Sequence, residues 1–151
     1  MKETFRLLEK AIGIAYHAHK DKTDKAGVPY ILHPLRVMND LEDIEDKIVG
    51  VLHDTVEDTY VTEDLLIREG FPTHLINAVM SVTRFQGETY KEFIQRAKKN
   101  PIGRRVKIAD MRDNSDLFRM HDLPDKHLKM IKKYHSAIKE LEPNHNNRLK
   151  V

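Results

Sequence analysis

Ile48-Val49-Gly50-Val51-Leu52-His53-Asp54-Thr55-Val56-Glu57-Asp58-Thr59 is the stretch on which the reading of this chain turns. Its first half is as apolar as a protein interior, yet an imidazole and a carboxylate stand directly after it. Val49, Leu52, His53 and Val56 recur at three- and four-residue steps, which predicts a helix over 44–58 with these side chains inward. An unpaired buried carboxylate is costly or must be neutralised. A divalent cation shared with other groups removes that cost.

Working outward, the apolar spacing is helical nearly everywhere. Phe5, Leu8, Ile12, Ala15, Tyr16 and His19 predict a first helix of about five turns. A polar loop over 21–27 follows, and Pro34 is placed to open a second helix, with Leu35, Met38 and Leu41 inward. After the helix over 44–58, Thr62 can cap a fourth that stops at Gly70. A fifth starts near Thr73 (Leu75, Ile76, Val79, Val82) and a sixth near Thr89 (Tyr90, Phe93, Ile94, Ala97). Pro101 opens a seventh, with Ile102, Val106, Ala109 and Asp110 in register. The last covers 125–141 and is expected to bury Leu128, Ile131, His135 and Ile138. No segment alternates with a period of two. The expected fold is therefore all-α: one helical bundle of about eight helices over 1–142, no sheet, and a frayed polar tail over 143–151.

Two further positions resemble His53-Asp54 in carrying metal-binding side chains on apolar elements: His33 just before Pro34, and Asp110 after Val106-Lys107-Ile108-Ala109. Two imidazoles and two carboxylates form a mixed nitrogen and oxygen donor set. Such a set suits a six-coordinate Mn²⁺, with Mg²⁺, Fe²⁺ or Zn²⁺ as alternatives. Four protein donors would leave positions for water or substrate, as hydrolysis requires. Glu57 lies four residues after His53, and Asp58 four after Asp54, one turn further along the same helix face. There either acid could take a proton from a water or orient it. Asn114 lies four residues after Asp110 and could bond substrate or water; Lys107, three before it, is a phosphate candidate. Taken singly, each of these residues also fits an ordinary role, His33 as a helix-start hydrogen-bonding group and the acids as a solvated patch. Acids at a helix C-terminus oppose its dipole, however, and their joint presence points to a site.

Composition narrows the classes. The chain has 151 residues, 40% apolar and 33% charged, with a net charge of +2 and no cysteine. This describes an ordinary globular protein, without the basic excess of a nucleic-acid binder. Disulfides, zinc fingers, iron–sulfur clusters and thiol nucleophiles are excluded. No apolar run approaches a membrane span and no secretory signal opens the chain, so a cytoplasmic protein is expected. The oligomeric state is left open.

Three stretches together carry a family resemblance: Lys25-Ala26-Gly27-Val28-Pro29-Tyr30-Ile31-Leu32-His33-Pro34, Leu52-His53-Asp54-Thr55-Val56-Glu57-Asp58-Thr59, and Val106-Lys107-Ile108-Ala109-Asp110 with Asn114. In order and spacing the chain, over about residues 5–141, resembles the HD-domain hydrolases of the Rel/Spo stringent-response enzymes and the small alarmone hydrolases. The resemblance implies that His33, His53, Asp54 and Asp110 bind Mn²⁺, that Glu57 and Asp58 activate or position the attacking water, and that Lys25 and Asn114 contact the nucleotide. It implies a (p)ppGpp 3′-pyrophosphohydrolase, which releases pyrophosphate from guanosine 3′,5′-bis(diphosphate). Arg84, after Val82-Thr83, and Tyr134, on the last helix, are further substrate-side candidates by the same likeness. The implied partner is a small phosphorylated nucleotide, guanine-based, with neither nucleic acid nor membrane.

The chain departs from the family pattern at Asp24, where an arginine expected to stack on guanine usually stands. It departs again at Val28 and at Arg112-Asp113, where the long enzymes usually carry Leu-His. Asp24 is the feature that favours a first alternative, a hydrolase of a different phosphorylated nucleotide. A second alternative is a non-catalytic nucleotide sensor or antitoxin-like module; the intact Glu57-Asp58 pair argues against it. The basic residues Lys91, Lys98, Lys99, Arg104 and Arg105 flank the helix carrying Asp110 and read either as phosphate contacts or as solvated helix faces. Among the other histidines, His17, His74, His121, His127 and His145 are expected at the surface, and His19 and His135 at the edge of the core.

Overall fold

A computed structural model of the chain describes residues 2–117 and 125–142. Among these residues the structure is all helical: α1 (Lys2–Ala18), α2 (Leu32–Asn39), α3 (Ile44–Leu52), α4 (Thr55–Asp58), α5 (Glu63–Arg68), α6 (Thr73–Val82), α7 (Tyr90–Lys99), α8 (Pro101–Asn114) and α9 (Asp125–Leu141). The only β-type contact among them is an isolated bridge between Thr23 and Pro29. The tail over 143–151, His121 and His145 lie outside the described residues. No described helix is long and apolar enough to cross a membrane.

The expected cap at Thr62 is in place, and two further caps stand where helices were expected to begin. Thr62 and Thr89 accept from the backbone N–H groups of Leu65 and Glu92, the latter in a reciprocal capping box, and Asn100 accepts from Gly103. Gly70 follows α5 with φ +82°, a conformation that favours glycine.

One predicted helix is two. The segment over 44–58 breaks at His53-Asp54, where side chains take over backbone acceptors. The His53 Nδ1–H donates to the Gly50 carbonyl at 2.7 Å and the Thr55 hydroxyl to the Leu52 carbonyl at 2.7 Å. Such local side-chain bonds compete with the helical ladder.

Two helix faces are also rotated from expectation. On α1 the core side is Ala11, Ala15 and Ala18, while Phe5 and Tyr16 are exposed. Small residues let α1 lie close against α3, and bulkier neighbours are turned out. On α9 the buried side chains are His127, Ala137 and Leu141; Leu128 and His135 are exposed, and Ile131 and Ile138 only partly covered. Among the described residues α9 packs mainly against α8 and α7, so the stripe it buries is narrow.

The centre of the molecule is α3, whose Ile48, Val49, Val51 and Leu52 are buried between α1, α2, α6 and α8. Each such side chain contributes about 1.5–3 kcal/mol by leaving water. A smaller cluster of Ile94, Met111, Ala137 and Leu141 joins α7, α8 and α9. Two glycines set the helix separations on either side of the core. A Cβ on Gly50 would stand 2.6 Å from Leu41 Cδ1, and one on Gly103 only 1.9 Å from Ser81 Oγ. Ser81 cannot yield freely, because its hydroxyl donates to the Ala78 carbonyl at 2.7 Å. Gly103→Ala should therefore destabilise the fold by about 1–3 kcal/mol through overpacking between α6 and α8. Urea unfolding would show a lower midpoint at unchanged slope, and an unaltered midpoint would refute the close-approach role.

Candidate metal centre and its cavity

Four of the residues singled out by the sequence meet at one place. His33 comes from the first turn of α2, His53-Asp54 from the break between α3 and α4, and Asp110 from the buried face of α8. The Nε2 atoms of His33 and His53 approach to 3.2 Å. Asp54 lies 3.4 Å from the first through Oδ2 and 3.1 Å from the second through Oδ1. Asp110 Oδ1 is 3.3 Å and 3.6 Å from the same two nitrogens. Donor atoms of His33, His53 and Asp54 all lie within 4.8 Å of one another.

Each imidazole is oriented through its other nitrogen. His33 Nδ1 donates to Asp113 at 2.6 Å and His53 Nδ1 to the Gly50 carbonyl. Both rings thus present Nε2 to the centre, as histidine ligands held by outer partners do. Two neutral Nε2 lone pairs at this separation repel unless a proton or a cation lies between the groups. The donor set therefore fits a divalent cation on its chemistry as well as its spacing.

The second tier of contacts was less legible. Asp113 also takes a fork from Arg36, whose Nε donates at 2.7 Å and Nη2 at 3.1 Å. The Tyr30 hydroxyl donates to Asp54. Asp110 is gripped at both oxygens, by the Asn114 amide at 2.6 Å and the Lys107 ammonium at 2.7 Å. Lys107 is further held 4.8 Å above the Phe93 ring. Lys107 and Asn114, read from the sequence as substrate contacts, thus orient Asp110. Asp113 and Arg36 carried no local signal, since they join helices 77 positions apart in sequence. Behind Tyr30, at 4.8 Å between rings, His19 is buried with neither ring nitrogen bonded among the described residues. Burial holds it neutral, its pKa pushed down to about 4.

His33, Asp54 and Asp110 of the cluster form the floor of a cavity of about 440 Å³, a size suited to a small ligand. Lys25, Lys107, Asn114 and Tyr134 all line it, together with Asp24 and Ala26 from the loop before α2. His127, expected at the surface, is buried in the opposite wall beside Met130 and Ile131. Glu57, Asp58 and Arg84 are not among the lining residues. Glu57 accepts from the backbone N–H of Arg84 at 2.8 Å, and the Arg84 guanidinium donates to the Glu88 carbonyl. Partial burial and the charges of Asp54 and Glu57 raise the Asp58 carboxyl above the ordinary range. Of the basic residues on α8, Arg105 forms a fork with the buried Asp46 at 2.5 and 2.7 Å and ties α8 to α3.

The electrostatics make a test of the cation-free protein. Burial disfavours charge on both histidines, but bonds to Asp110, Asp113 and Asp54 outweigh it at His33, whose pKa is pushed up to about 11. At His53 the Asp54 charge and the bond to Asp110 outweigh burial likewise and push it up to about 9. In return the histidines hold Asp54 and Asp110 well below the carboxylate range against their burial, with Lys107 the foremost counter-charge at Asp110. Groups raised on folding stabilise fully below their unfolded pKa, near 6.5, and lose that contribution as pH rises through the folded value. Chelator-treated protein should lose stability as pH climbs through 9 towards 11, and NMR should find both imidazoles charged at pH 7. Neutral rings at pH 7 without cation would overturn this account.

No family model matches the chain. A probable GTP pyrophosphokinase of Mycobacterium leprae is 32% identical over 125 residues, covering 75% of this chain and 16% of that protein. A guanosine-3′,5′-bis(diphosphate) 3′-pyrophosphohydrolase of Aquifex aeolicus is 32% identical over 119 residues, 71% of this chain and 17% of that one. The chain thus spans about a sixth of the length of these curated relatives. A solved structure described as a metazoan ortholog of SpoT that hydrolyses ppGpp superposes with a TM-score of 0.72 at 20% identity, over 91% of this chain and 88% of that one. The helical fold is shared with that protein, and the sequence matches make the chain a homologue of one segment of the Rel/Spo proteins.

Proposed function

We propose that the chain is a divalent-cation-dependent phosphohydrolase, working with Mn²⁺, that removes the 3′-diphosphate of guanosine 3′,5′-bis(diphosphate) as pyrophosphate. The observation that carries this is the convergence of two outer-fixed imidazoles with Asp54 and Asp110 at the base of a cavity flanked by lysines, with His33, Asp54 and Asp110 in its lining. The named activity of the relatives supports the choice of substrate. His33, His53, Asp54 and Asp110 would hold the cation. A cation so held supplies Lewis acidity toward a phosphoryl oxygen and makes water a nucleophile at neutral pH.

The remaining work falls to this chain's own side chains. Lys25, with no bonded partner among the described residues, and Lys107 offset phosphate charge as it builds up. Tyr134 and the α9 wall cover the nucleoside. Water adds to the phosphorus bonded to the 3′ oxygen, the P–O3′ bond breaks, and the leaving oxygen takes a proton to become the 3′-hydroxyl. Asp58, one turn beyond the cluster, accepts the one proton released by the attacking water while Glu57 positions that water, and this proton is the one returned to the leaving 3′ oxygen. The raised basicity of Asp58 suits that task, and the Arg84 N–H fixes Glu57. A cytoplasmic setting belongs to the same proposal, since the cysteine-free sequence suits a reducing compartment.

Incubation with ppGpp and Mn²⁺ should release GDP and pyrophosphate, and chelation should abolish this. His53→Ala and Asp54→Ala should lose bound metal and turnover while keeping their helical circular dichroism. Glu57→Ala with Asp58→Ala should keep the metal and lose roughly 10²–10⁴-fold in kcat. Full turnover in that double variant would remove both acids from the mechanism.

A further inference from the structure

We infer that Asp24 selects the nucleobase: its carboxylate accepts hydrogen bonds from the donor edge of guanine. The inference rests on the reading of the cavity as a nucleotide site.

Asp24 is held in one orientation by its own loop. Oδ1 accepts from the backbone N–H groups of Ala26 at 2.8 Å and Val28 at 3.2 Å. The Asp24 N–H donates to the Val28 carbonyl at 2.9 Å, and the Gly27 N–H to the Asp24 carbonyl at 3.0 Å. Gly27 has φ +79°, and the Thr23–Pro29 bridge closes the loop. Aspartate is favoured in such turns because its side chain replaces a backbone acceptor. Both favourable sites on Oδ1 are thereby used. Oδ2 has no donor among the described residues, although Asp24 is half-buried in the cavity wall. This loop therefore leaves a fixed, acceptor-only group for whatever enters.

That group would repel a phosphate. The diphosphates must lie toward Lys107 and the His33–Asp54–Asp110 floor, which leaves the nucleoside to meet Asp24. Ala26 on one side and Met130, Ile131 and Tyr134 on the other line the same cavity and can cover the faces of a planar ring. A carboxylate then reads the ring edge. Guanine offers two adjacent donors there, N1–H and the N2 amino group. Hypoxanthine keeps N1–H alone. Adenine places a lone pair at N1 beside its amino group, which a carboxylate opposes. Guanine is the purine that this wall accepts.

Asp24→Asn is the informative variant, because its amide oxygen keeps the turn while the charge and the second acceptor are lost. Calorimetry with GDP, IDP and ADP in the presence of Mn²⁺ needs no turnover. Wild type should bind GDP above IDP above ADP. In Asp24→Asn the GDP affinity should fall about ten- to hundredfold, and the GDP-to-ADP ratio should collapse. Asp24→Ser, which drops the charge with a different turn partner, should show the same collapse. The kcat/KM values for guanosine, inosine and adenosine 3′,5′-bis(diphosphates) should follow the same order. An unchanged GDP-to-ADP ratio in both variants overturns the inference, as does an equal loss for all three nucleotides, which would mean loop ordering alone. If no bis(diphosphate) is hydrolysed yet the GDP preference depends on Asp24, the base reading stands and the proposed reaction falls.

Discussion

Two buried imidazole nitrogens 3.2 Å apart are the constraint around which this molecule is arranged. With nothing between them they are a repulsive pair; with protons or a cation between them they are positive charge that must be matched. Asp54 and Asp110 supply the match, and the bundle must then hold four polar side chains from three places in the chain against its own core. The cost of burying such groups unpaired is several kcal/mol each, on the order of half a domain's net stability, so the outer contacts are as necessary as the inner ones.

Those outer contacts account for much of the local architecture. His33 is braced by Asp113, and Asp113 by Arg36, so that one fork fastens α2 to α8 beside the site. Asp110 is fixed at both oxygens from its own helix, by Lys107 one turn before and Asn114 one turn after. The helical break at His53 follows from the same need: the ring nitrogen that bonds Gly50 is the one that must not face the centre. A continuous helix would have kept its ladder and left His53 without that anchor. The site therefore explains why the helix expected over 44–58 is broken at His53-Asp54.

The cavity above the cluster separates two kinds of chemistry. Near the floor stand Lys107 and the buried donors, arranged for anionic oxygens; at the rim stands Asp24, arranged for N–H groups. Lys25 follows Asp24 directly, so a one-residue step along the loop changes the sign presented to a ligand. A ligand with a charged end and a neutral, donor-bearing end fits such a gradient in one orientation. Orientation matters to any phosphoryl transfer, because the barrier falls only when attacking and leaving oxygens are held in line.

The chain by itself determined the helical class, the cap at Thr62, the helix starts near Thr89 and Pro101, and the metal-type side chains at His33, His53-Asp54 and Asp110. These follow from periodicity, local hydrogen bonding and residue chemistry, which act over a turn or two of chain. The tertiary structure alone decided who meets whom: Asp113 with His33 across 80 positions, Arg105 with Asp46 across 59, and His127 buried in a cavity wall. It also decided the inward faces of α1 and α9. Each of these depends on how closely two helices approach, at Gly103 against Ser81 or along the alanines of α1, and no local pattern encodes the distance to a partner elsewhere in the chain.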